Sequence, residues 1–282
     1  MKRKLTIGLI LALVVFLLNL TYAQPNPKKT EKSIGIISAL RLETAYLKSQ
    51  IKDPKKVTYL GRVYYVGKID KKNVVVANVG VGIVNASVGA AILIDKFAPS
   101  AIIMTGVAGG TELTKPGDTI IGTAVTFYDL AIITDKGEFV RLKAYQPNST
   151  FSGKGIKRDP LFFKPTESLL SAAVEAAKNI KLDDLEYKGK IYKAKVIKGI
   201  FATSETFQST KSLLVEQKRT NCIATDMEGA GPAQVCYQLK IPFIMIRSVS
   251  DTGNLAMYNA LKTKAAKNSE LLVEKMLKDL SY

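Results

Sequence analysis

Short apolar runs rich in β-branched residues alternate with longer amphipathic segments from Ser33 to the end of the chain. The short runs have the length of strands, and the longer segments place apolar residues at helical spacing along one face. Strands that alternate with crossover helices build a parallel or mixed sheet that helices cover on both faces. The sequence therefore predicts a single α/β domain over residues 33–282, a three-layer sandwich around a central, mixed and largely parallel sheet.

The predicted elements follow from this alternation. Strands are expected at 34–38, 62–66, 73–79, 101–104, 119–125, 195–202 and 243–249. Helices are expected at 40–51, 83–97, 166–180, 209–217, 227–239 and 256–280. Asp226 is a favourable N-cap residue for the helix that starts at Met227. No internal repeat or linker divides this pattern.

The first 23 residues predict a signal peptide rather than a part of the domain. A basic region at residues 2–4 precedes an apolar run at 5–20, and small residues at −3 and −1 allow cleavage before Gln24. An uncleaved signal anchor is the alternative interpretation, because the apolar run approaches the length that crosses a bilayer. In both cases the domain is exported to the periplasm or the cell surface, and residues 24–32 form a basic leader.

The chain contains no histidine, and this excludes several kinds of catalytic site. A Ser-His-Asp triad, a Cys-His pair and a His-ligated zinc are all impossible. Acid–base chemistry must therefore use carboxylates, lysines, tyrosines or cysteines. The two cysteines do not make a disulfide framework, and Cys222 at a strand end and Cys236 on an apolar helix face are expected to be buried free thiols.

Candidate functional residues follow the ends of several predicted strands, where ligands bind in α/β sheets. Each has a purely structural explanation, since carboxylates stabilise the first turn of a helix and glycines form tight turns. Together they converge on one rim of the sheet, which favours a site. The glycine-rich segment matches neither the dinucleotide fingerprint nor the P-loop, so an ATPase is not expected. The candidates are Glu43, the glycine-rich segment 105–110, residues 203–207, Glu228 and Asp251.

Five blocks of residues occur in an order and spacing that resemble a known family. They are residues 34–39 with Glu43, residues 105–110, Gly117-Asp118, residues 226–228 and residues 247–251. They resemble the 5′-methylthioadenosine/S-adenosylhomocysteine nucleosidases, which have the purine nucleoside phosphorylase/uridine phosphorylase-like fold. The resemblance runs from Ile34 to near the C-terminus. It implies hydrolysis of the N-ribosidic bond of both nucleosides, with release of adenine and the 5′-thio-ribose and with no cofactor or metal.

The resemblance implies that two carboxylates carry the catalysis. Glu43 matches the carboxylate that activates the attacking water, and Asp251 matches the general acid that protonates the purine at N7. A carboxylic acid opposite a carboxylate–water pair is the arrangement of an inverting glycosidase. The substrate-binding residues that the resemblance implies are Glu228 at the ribose hydroxyls, Met227 on the sugar, Phe207 on adenine, the Gln208 backbone at the purine edge, Arg247 beside the water and carboxylates, Ser250 beside Asp251, and Val107, Ala108 and Gly109 of the glycine-rich segment.

Two departures from the family pattern leave the 5′-substituent open. Val107 stands where some members carry serine, and a valine side chain cannot hydrogen-bond water or ribose. Residues 137–164 do not align with the family. A nucleosidase for another adenine nucleoside, such as aminofutalosine, is therefore an alternative. A phosphorylase is not expected, because the Gly-Asp-Pro-Leu-Arg pattern is missing around Arg41 and Glu43 would repel phosphate. The family also implies a homodimer.

The net charge of +17 arises from 41 Lys and Arg residues against 24 Asp and Glu residues. A solvated, lysine-rich surface is the simpler explanation. The functional alternative is attraction to a polyanion, for which sulfated glycosaminoglycans are available to an exported protein. Aromatic residues do not alternate with the lysines as a nucleic-acid groove requires, and no nucleic-acid module is visible. A polyanion-binding surface protein on a nucleosidase fold is thus the second hypothesis.

Overall fold

The computed structural model describes residues 32–144, 158–207 and 209–280. The predicted signal peptide at residues 1–23 lies outside the described residues. The same holds for the basic leader at residues 24–32 apart from Lys32, and for Gln208. These predictions therefore remain predictions. Within the described ranges, no helix is both long and apolar enough to cross a membrane.

Thirteen strands and six α-helices lie in the described ranges. The strands are β1 (Ile34–Ser38), β2 (Lys52–Tyr59), β3 (Arg62–Ile69), β4 (Lys72–Asn78), β5 (Ala101–Gly110), β6 (Thr119–Phe127), β7 (Ala131–Ile133), β8 (Phe139–Arg141), β9 (Leu185–Tyr187), β10 (Lys190–Tyr192), β11 (Val196–Thr203), β12 (Ala224–Asp226) and β13 (Phe243–Asp251). The helices are α1 (Ala45–Gln50), α2 (Ile83–Phe97), α3 (Glu167–Ala177), α4 (Thr210–Thr220), α5 (Ala230–Leu239) and α6 (Leu255–Asp279). A 3-10 turn at Arg41–Thr44 precedes α1.

The central sheet is mixed and partly closed. Its strand order in the described residues is β12-β11-β6-β13-β5-β1-β4-β3-β2, and β12 pairs in addition with β5. That extra pairing closes β5, β13, β6, β11 and β12 into a ring. The β1–β4, β1–β5, β5–β13, β6–β11 and β11–β12 pairs are parallel, and the others are antiparallel. The strands β7 and β8, and likewise β9 and β10, form hairpins beside the sheet.

Helices cover both faces of the sheet, which confirms the predicted three-layer α/β fold. In β5, Ile102 and Met104 pack on one face against α2 and α5, while Ala101 and Ile103 pack on the other face against α3 and α6. Successive side chains of a strand point to opposite faces, so a strand buried on both faces must be apolar throughout. This explains the continuous apolar run that predicted β5. Both cysteines are free and buried, as expected.

The structure differs from the sequence prediction in several elements. The glycine-rich segment is part of β5, which was predicted to end at residue 104 but continues to Gly110. Asp226 ends β12 and does not cap a helix, since α5 begins at Ala230. The predicted helix at 40–51 is a 3-10 turn followed by the short α1. Strand β2 and the two hairpins were not predicted, because β2 is exposed and polar and the hairpin strands have three residues each.

Glu216 on α4 is fully buried, and neither of its carboxylate oxygens has a hydrogen-bond partner among the described residues. Burial raises its pKa to about 8, and the negative charges of Asp129 and Asp226 add to this effect. A carboxyl group whose pKa is raised in the folded state holds a proton there that the unfolded chain has released. Folding therefore takes up a proton between pH 4.5 and about 8.

The change Glu216→Gln should make the protein more stable at pH 8, because the folded state then no longer has to bury a group that prefers to ionise. Stability of the wild type should fall as the pH rises from 5 to 8, and the variant should lose that slope and gain about 1–3 kcal/mol at pH 8. Urea denaturation at several pH values measures both. The exposed Glu112→Gln is the control, and parallel pH profiles for Glu216→Gln and wild type would contradict the prediction.

Candidate active site

A cleft lies at one rim of the ring of strands. All described residues to which the family resemblance assigned a role line it, and the nominated segments 105–110 and 203–207 contribute part of their residues, so the predicted convergence is observed. Side chains that sequence reasoning did not nominate also line it. The lining residues are Ala39, Leu40, Glu43, Val81, Val107, Ala108, Gly109, Thr206, Phe207, Thr225, Asp226, Met227, Glu228, Arg247, Ser250, Asp251 and Tyr258.

Glu43 is held rigidly at the floor of the cleft. Its Oε2 accepts a hydrogen bond from the Leu40 N–H at 2.6 Å, and its Oε1 accepts one from the Val107 N–H at 3.0 Å. The side chain is buried, and burial raises its pKa, while the Arg247 guanidinium and the backbone donors oppose that rise. The carboxylate is thus a desolvated base whose ionised form is supported by one cation and by fixed dipoles.

The position of Glu43 requires glycine at residue 106. Gly106 has a φ of +137°, which L side chains rarely adopt, and a Cβ there would lie 2.6 Å from Glu43 Oε1. Part of the glycine-rich signal in the sequence therefore reflects space for a carboxylate rather than a turn or a phosphate-binding loop.

Arg247 is a buried cation at the centre of the site. Its two terminal nitrogens donate to the Val107 carbonyl at 2.7 Å and to Glu228 Oε2 at 3.0 Å. The second nitrogen also lies 3.4 Å from Asp226 Oδ2. Burial alone would lower the pKa of Arg247, but the carboxylates of Asp226, Glu228 and Glu43 raise it. Arg247 therefore stays charged and compensates several buried carboxylates at once.

Asp226 fixes the turn that carries Glu228. Its Oδ2 accepts from the N–H groups of Glu228 at 3.1 Å and Gly229 at 2.6 Å, and its Oδ1 accepts from the Thr203 hydroxyl at 2.6 Å. Asp226 does not cap a helix as predicted. Its carboxylate nevertheless accepts hydrogen bonds from the backbone N–H groups that follow it, as an N-cap residue would.

Glu228 lies in that turn between β12 and α5, with one oxygen at each of two fixed partners. Its Oε1 accepts from the Gly82 N–H at 3.2 Å, and its Oε2 accepts from Arg247. Burial raises its pKa, and Arg247 counteracts the rise. A buried carboxylate held in this way is suited to accept hydrogen bonds from ligand hydroxyls.

Asp251 ends the central strand β13 next to a bulge. Val249 pairs with Ala108 and Asp251 pairs with Gly109, so Ser250 is the extra residue. Because adjacent strand residues otherwise point to opposite faces, the bulge allows both Ser250 and Asp251 to line the cleft. This local irregularity brings the hydroxyl and the carboxyl group together.

The hydrogen bonds of Asp251 are all local. Its Oδ1 accepts from the N–H groups of Gly253 at 2.8 Å and Asn254 at 3.2 Å, and its Oδ2 accepts from the Ser250 hydroxyl at 2.8 Å. Burial raises its pKa in spite of these donors. The charge of Arg247 opposes the effect of burial on the pKa of Glu43, whereas only a hydroxyl and two backbone N–H groups oppose it at Asp251.

Phe207 and Tyr258 stand at the mouth of the cleft. Their ring centroids lie 5.7 Å apart in a T-shaped arrangement, and Phe207 is 45% exposed. Sequence reasoning missed Tyr258, although its place one turn into α6, directly after β13, is a signal that could have found it. Burial and the nearby carboxylates of Glu43, Glu228 and Asp251 raise the pKa of Tyr258, so its hydroxyl keeps its proton.

Val107 departs from the family pattern without removing the contacts of its position. The backbone N–H of Val107 binds Glu43, and its carbonyl binds Arg247. Both groups are independent of the side chain. Among the described residues, no cluster of His, Cys, Asp or Glu has the arrangement needed to hold a metal ion.

Comparisons with known proteins agree with this geometry. The family model of the phosphorylase superfamily matches residues 33–278. A 5′-methylthioadenosine/S-adenosylhomocysteine nucleosidase of Shewanella loihica is 33% identical over 255 residues, which cover 88% of this chain and 99% of that protein. The nucleosidase of Colwellia psychrerythraea, solved in complex with adenine, has a TM-score of 0.74 at 30% identity and covers 89% of this chain and 96% of its own.

A futalosine hydrolase of Helicobacter pylori also resembles this chain. It has a TM-score of 0.71 at 22% identity, covering 89% of this chain and 99% of its own. At that identity the similarity concerns the fold alone.

The change Gly106→Ala should abolish most of the activity, because the new methyl group would occupy the place of Glu43 Oε1. A displacement of about 1 Å in a catalytic group lowers the rate by about a hundredfold. We expect a loss of at least that size in kcat with a folded protein, measured by nucleoside hydrolysis and circular dichroism.

Gly189→Ala is the matched control, since Gly189 also has a positive φ (+76°) but open space around its Cβ position. It should be folded and fully active. Normal kcat in folded Gly106→Ala would show that Glu43 does not need its observed position.

Proposed function

The chain belongs to the phosphorylase superfamily and, within it, to the 5′-methylthioadenosine/S-adenosylhomocysteine nucleosidases, which are N-glycosidases, and we propose that it hydrolyses the N-ribosidic bond of those two nucleosides. The products are adenine and the 5′-thio-ribose. One observation carries the proposed mechanism. Two buried carboxyl groups line one cleft in different electrostatic surroundings, Glu43 near a guanidinium and Asp251 without an ion-pair partner among the described residues.

Glu43 is proposed as the group that activates water. Cleavage of the N-ribosidic bond develops positive charge on the sugar, and a water molecule then forms the new bond to C1′ while it passes a proton to Glu43. The Arg247 charge and the Val107 and Leu40 N–H groups favour the ionised carboxylate against the effect of burial and orient it for that transfer. Its fixed position means that no reorganisation is needed when charge develops.

Asp251 is proposed as the general acid at purine N7. Adenine leaves more easily when it is protonated, and burial raises the pKa of Asp251 so that a proton is available. The Ser250 hydroxyl has one proton and lies within reach of both Asp251 Oδ2 at 2.8 Å and the Ala108 carbonyl at 3.3 Å. Donation to Ala108 leaves a lone pair of Ser250 free to support the protonated acid.

The other lining residues would bind the nucleoside. Glu228 would accept hydrogen bonds from the ribose hydroxyls while Arg247 and the Gly82 N–H hold it in place. Met227 would pack on the sugar, and the exposed ring of Phe207 would stack on adenine. Val107, Ala108 and Gly109 form the strand wall beneath them.

Hydrolysis is favoured over phosphorolysis by the charges in the cleft. A phosphate nucleophile would have to approach the Glu43 carboxylate. The buried cation next to it, Arg247, is already engaged by Asp226 and Glu228. Water carries no charge and meets no such repulsion.

Wild-type protein should release adenine from 5′-methylthioadenosine at a rate that does not depend on phosphate. Asp251→Asn and Glu43→Gln should each lower kcat by about 10²–10⁴-fold, because each removes one proton transfer. The wild-type rate should fall as the pH rises through the raised pKa of Asp251, and Asp251→Asn should lose that limb. Adenine release, followed at several pH values, measures all three effects.

The surface variant Asp95→Asn should behave as wild type. Release only with phosphate would make the enzyme a phosphorylase and overturn the role of Glu43. Release from aminofutalosine but not from 5′-methylthioadenosine would overturn the proposed substrate class.

We also propose that the protein is a homodimer, with α2 in the interface. Val84 and Val88 on one face of α2 are 71% and 44% exposed, and Val81, which lines the cleft, is 43% exposed. Leu60 is 67% exposed, and the ring centroid of its neighbour Tyr59 lies 4.5 Å from Lys96 Nζ of that helix. Such an apolar patch supports association with a second copy of the chain.

Sedimentation velocity at micromolar concentration should show a dimer, and Val84→Glu should shift it to a monomer, because a charge would then be buried in the interface. Val215→Glu, on the exposed side of α4, should leave the dimer intact. A monomeric wild type would contradict the proposal.

Binding of an extended polyanion is the second proposed activity. In the register of β2 and β3, Lys52 lies opposite Lys68, and Lys55 and Lys56 continue the basic run along the exposed strand β2. Closely spaced positive charges on an exposed strand attract a polyanion. Lysines that protect an edge strand from aggregation are the structural alternative.

Heparin retention distinguishes these alternatives. Retention that survives moderate salt should fall after charge reversal at Lys52, Lys55 and Lys56, or at the lysines of residues 188–198, since each reversal removes contacts to the sulfates. Elution together with a basic control protein of equal net charge would contradict the proposal.

A further inference from the structure

The segment between β11 and α4 carries Phe207 over the mouth of the cleft. Its first residue, Ser204, donates its N–H to the Asp226 carbonyl at 3.1 Å, and its hydroxyl accepts from the Thr206 N–H at 3.1 Å. Beyond Gln208, at the start of α4, the Thr210 hydroxyl donates to the Thr252 carbonyl at 2.8 Å. Residues 204–207 are therefore anchored at Ser204, while Glu205, Thr206 and Phe207 are exposed.

Glu205 connects residues 204–207 to the start of α2. Its Oε1 accepts from the Ile83 N–H at 3.0 Å, and Ile83 is the first residue of α2. The first N–H groups of a helix have no partner within the helix and usually bind a side chain of the preceding residue. Here that residue is Gly82, which has no side chain, and a carboxylate from 122 positions further along the chain replaces it.

Gly82 leaves room for this contact. A Cβ at Gly82 would lie 3.0 Å from Glu205 Oε2, and the φ of +96° at Gly82 is unfavourable for any other residue. The first turn of α2 is therefore capped by a carboxylate from another segment of the chain and not by the side chain of its own N-cap residue.

The same helix start also holds Glu228. The Gly82 N–H donates to Glu228 Oε1, and the next N–H along the chain donates to Glu205. Two consecutive backbone donors thus bind one carboxylate in the cleft and one on the segment that carries Phe207. This fixes the segment with the aromatic ring relative to the carboxylate proposed for the ribose hydroxyls.

We propose that Glu205 is a positioning residue that holds Phe207 over the cleft before the substrate arrives, an inference that rests on the proposed nucleosidase function. Without the bond to Ile83, the segment would sample positions in which the ring is away from the adenine site. A binding site that is competent only part of the time has an apparent affinity reduced by that fraction. Glu205 touches neither acid–base group, so it acts on binding and not on the chemical step.

The test uses the full chain with Glu205→Ala and Glu205→Gln. Glu205→Ala should raise KM for 5′-methylthioadenosine by about tenfold and leave kcat within about twofold, as expected if the competent fraction falls to about a tenth. Glu205→Gln keeps an acceptor oxygen at the same distance and should restore KM to within about twofold of wild type. The Kd for adenine, measured by calorimetry, should rise for Glu205→Ala and stay near the wild-type value for Glu205→Gln. This measurement does not depend on catalysis.

Ser209→Ala is the matched control on the same segment. The Ser209 side chain caps α4 by accepting from the Ser212 N–H, so its loss should lower Tm without a change in KM. If Glu205→Ala also lowers Tm alone, with KM and the Kd for adenine unchanged, Glu205 is only a helix cap and the proposal is overturned. A loss of kcat at constant KM would overturn it as well. If wild type releases no adenine but binds adenine more tightly than Glu205→Ala, the proposed hydrolysis fails while the positioning role stands.

Discussion

The buried guanidinium of Arg247 is the charge on which the arrangement of the site depends. It lies on the central strand β13 and is 2% exposed. It forms ion pairs with Asp226 and Glu228, and it interacts electrostatically with Glu43. Removing several carboxylates from water costs several kcal/mol for each ion unless a counter-charge and hydrogen bonds compensate for it. One cation that is itself almost fully buried provides this compensation for the whole cluster, and its bond to the Val107 carbonyl ties the cluster to β5.

The two proposed catalytic carboxyl groups differ because only one of them shares in that compensation. Glu43 lies close enough to Arg247 for the guanidinium to oppose the effect of burial on its pKa. Asp251, at the end of the same strand β13, relies on a hydroxyl and two backbone donors. Two groups of the same chemical type can thus act as base and acid in one cleft, without histidine and without a metal ligand set in the described residues.

How much of this site could be predicted depends on whether the signal lies in local sequence. The apolar runs before Glu43 and Asp251 were enough to place those two residues at one rim, whereas the strand β12 before Glu228 is short and was not predicted. Glu205 belongs to the nominated residues 203–207 and Tyr258 follows β13, but their contacts with Ile83 and Phe207 in distant elements leave no signal in the local sequence. Strand β5 was predicted to end at residue 104 because glycine is usually disfavoured in strands. That preference concerns an isolated strand, whereas here neighbouring groups lie so close that there is no space for a side chain.

Gly109 shows why those neighbours exist. It pairs with Thr225 of β12 on one side and with Asp251 of β13 on the other, and a Cβ there would lie 3.2 Å from the Thr225 hydroxyl. The antiparallel pairing of β12 with β5 closes the ring, and the same pairing brings the turn with Glu228 next to the strand that carries Val107. A side chain at Gly109 would crowd this junction. The pairing of β12 with β5 therefore both closes the sheet and assembles the cleft, and the glycines of β5 make that pairing possible.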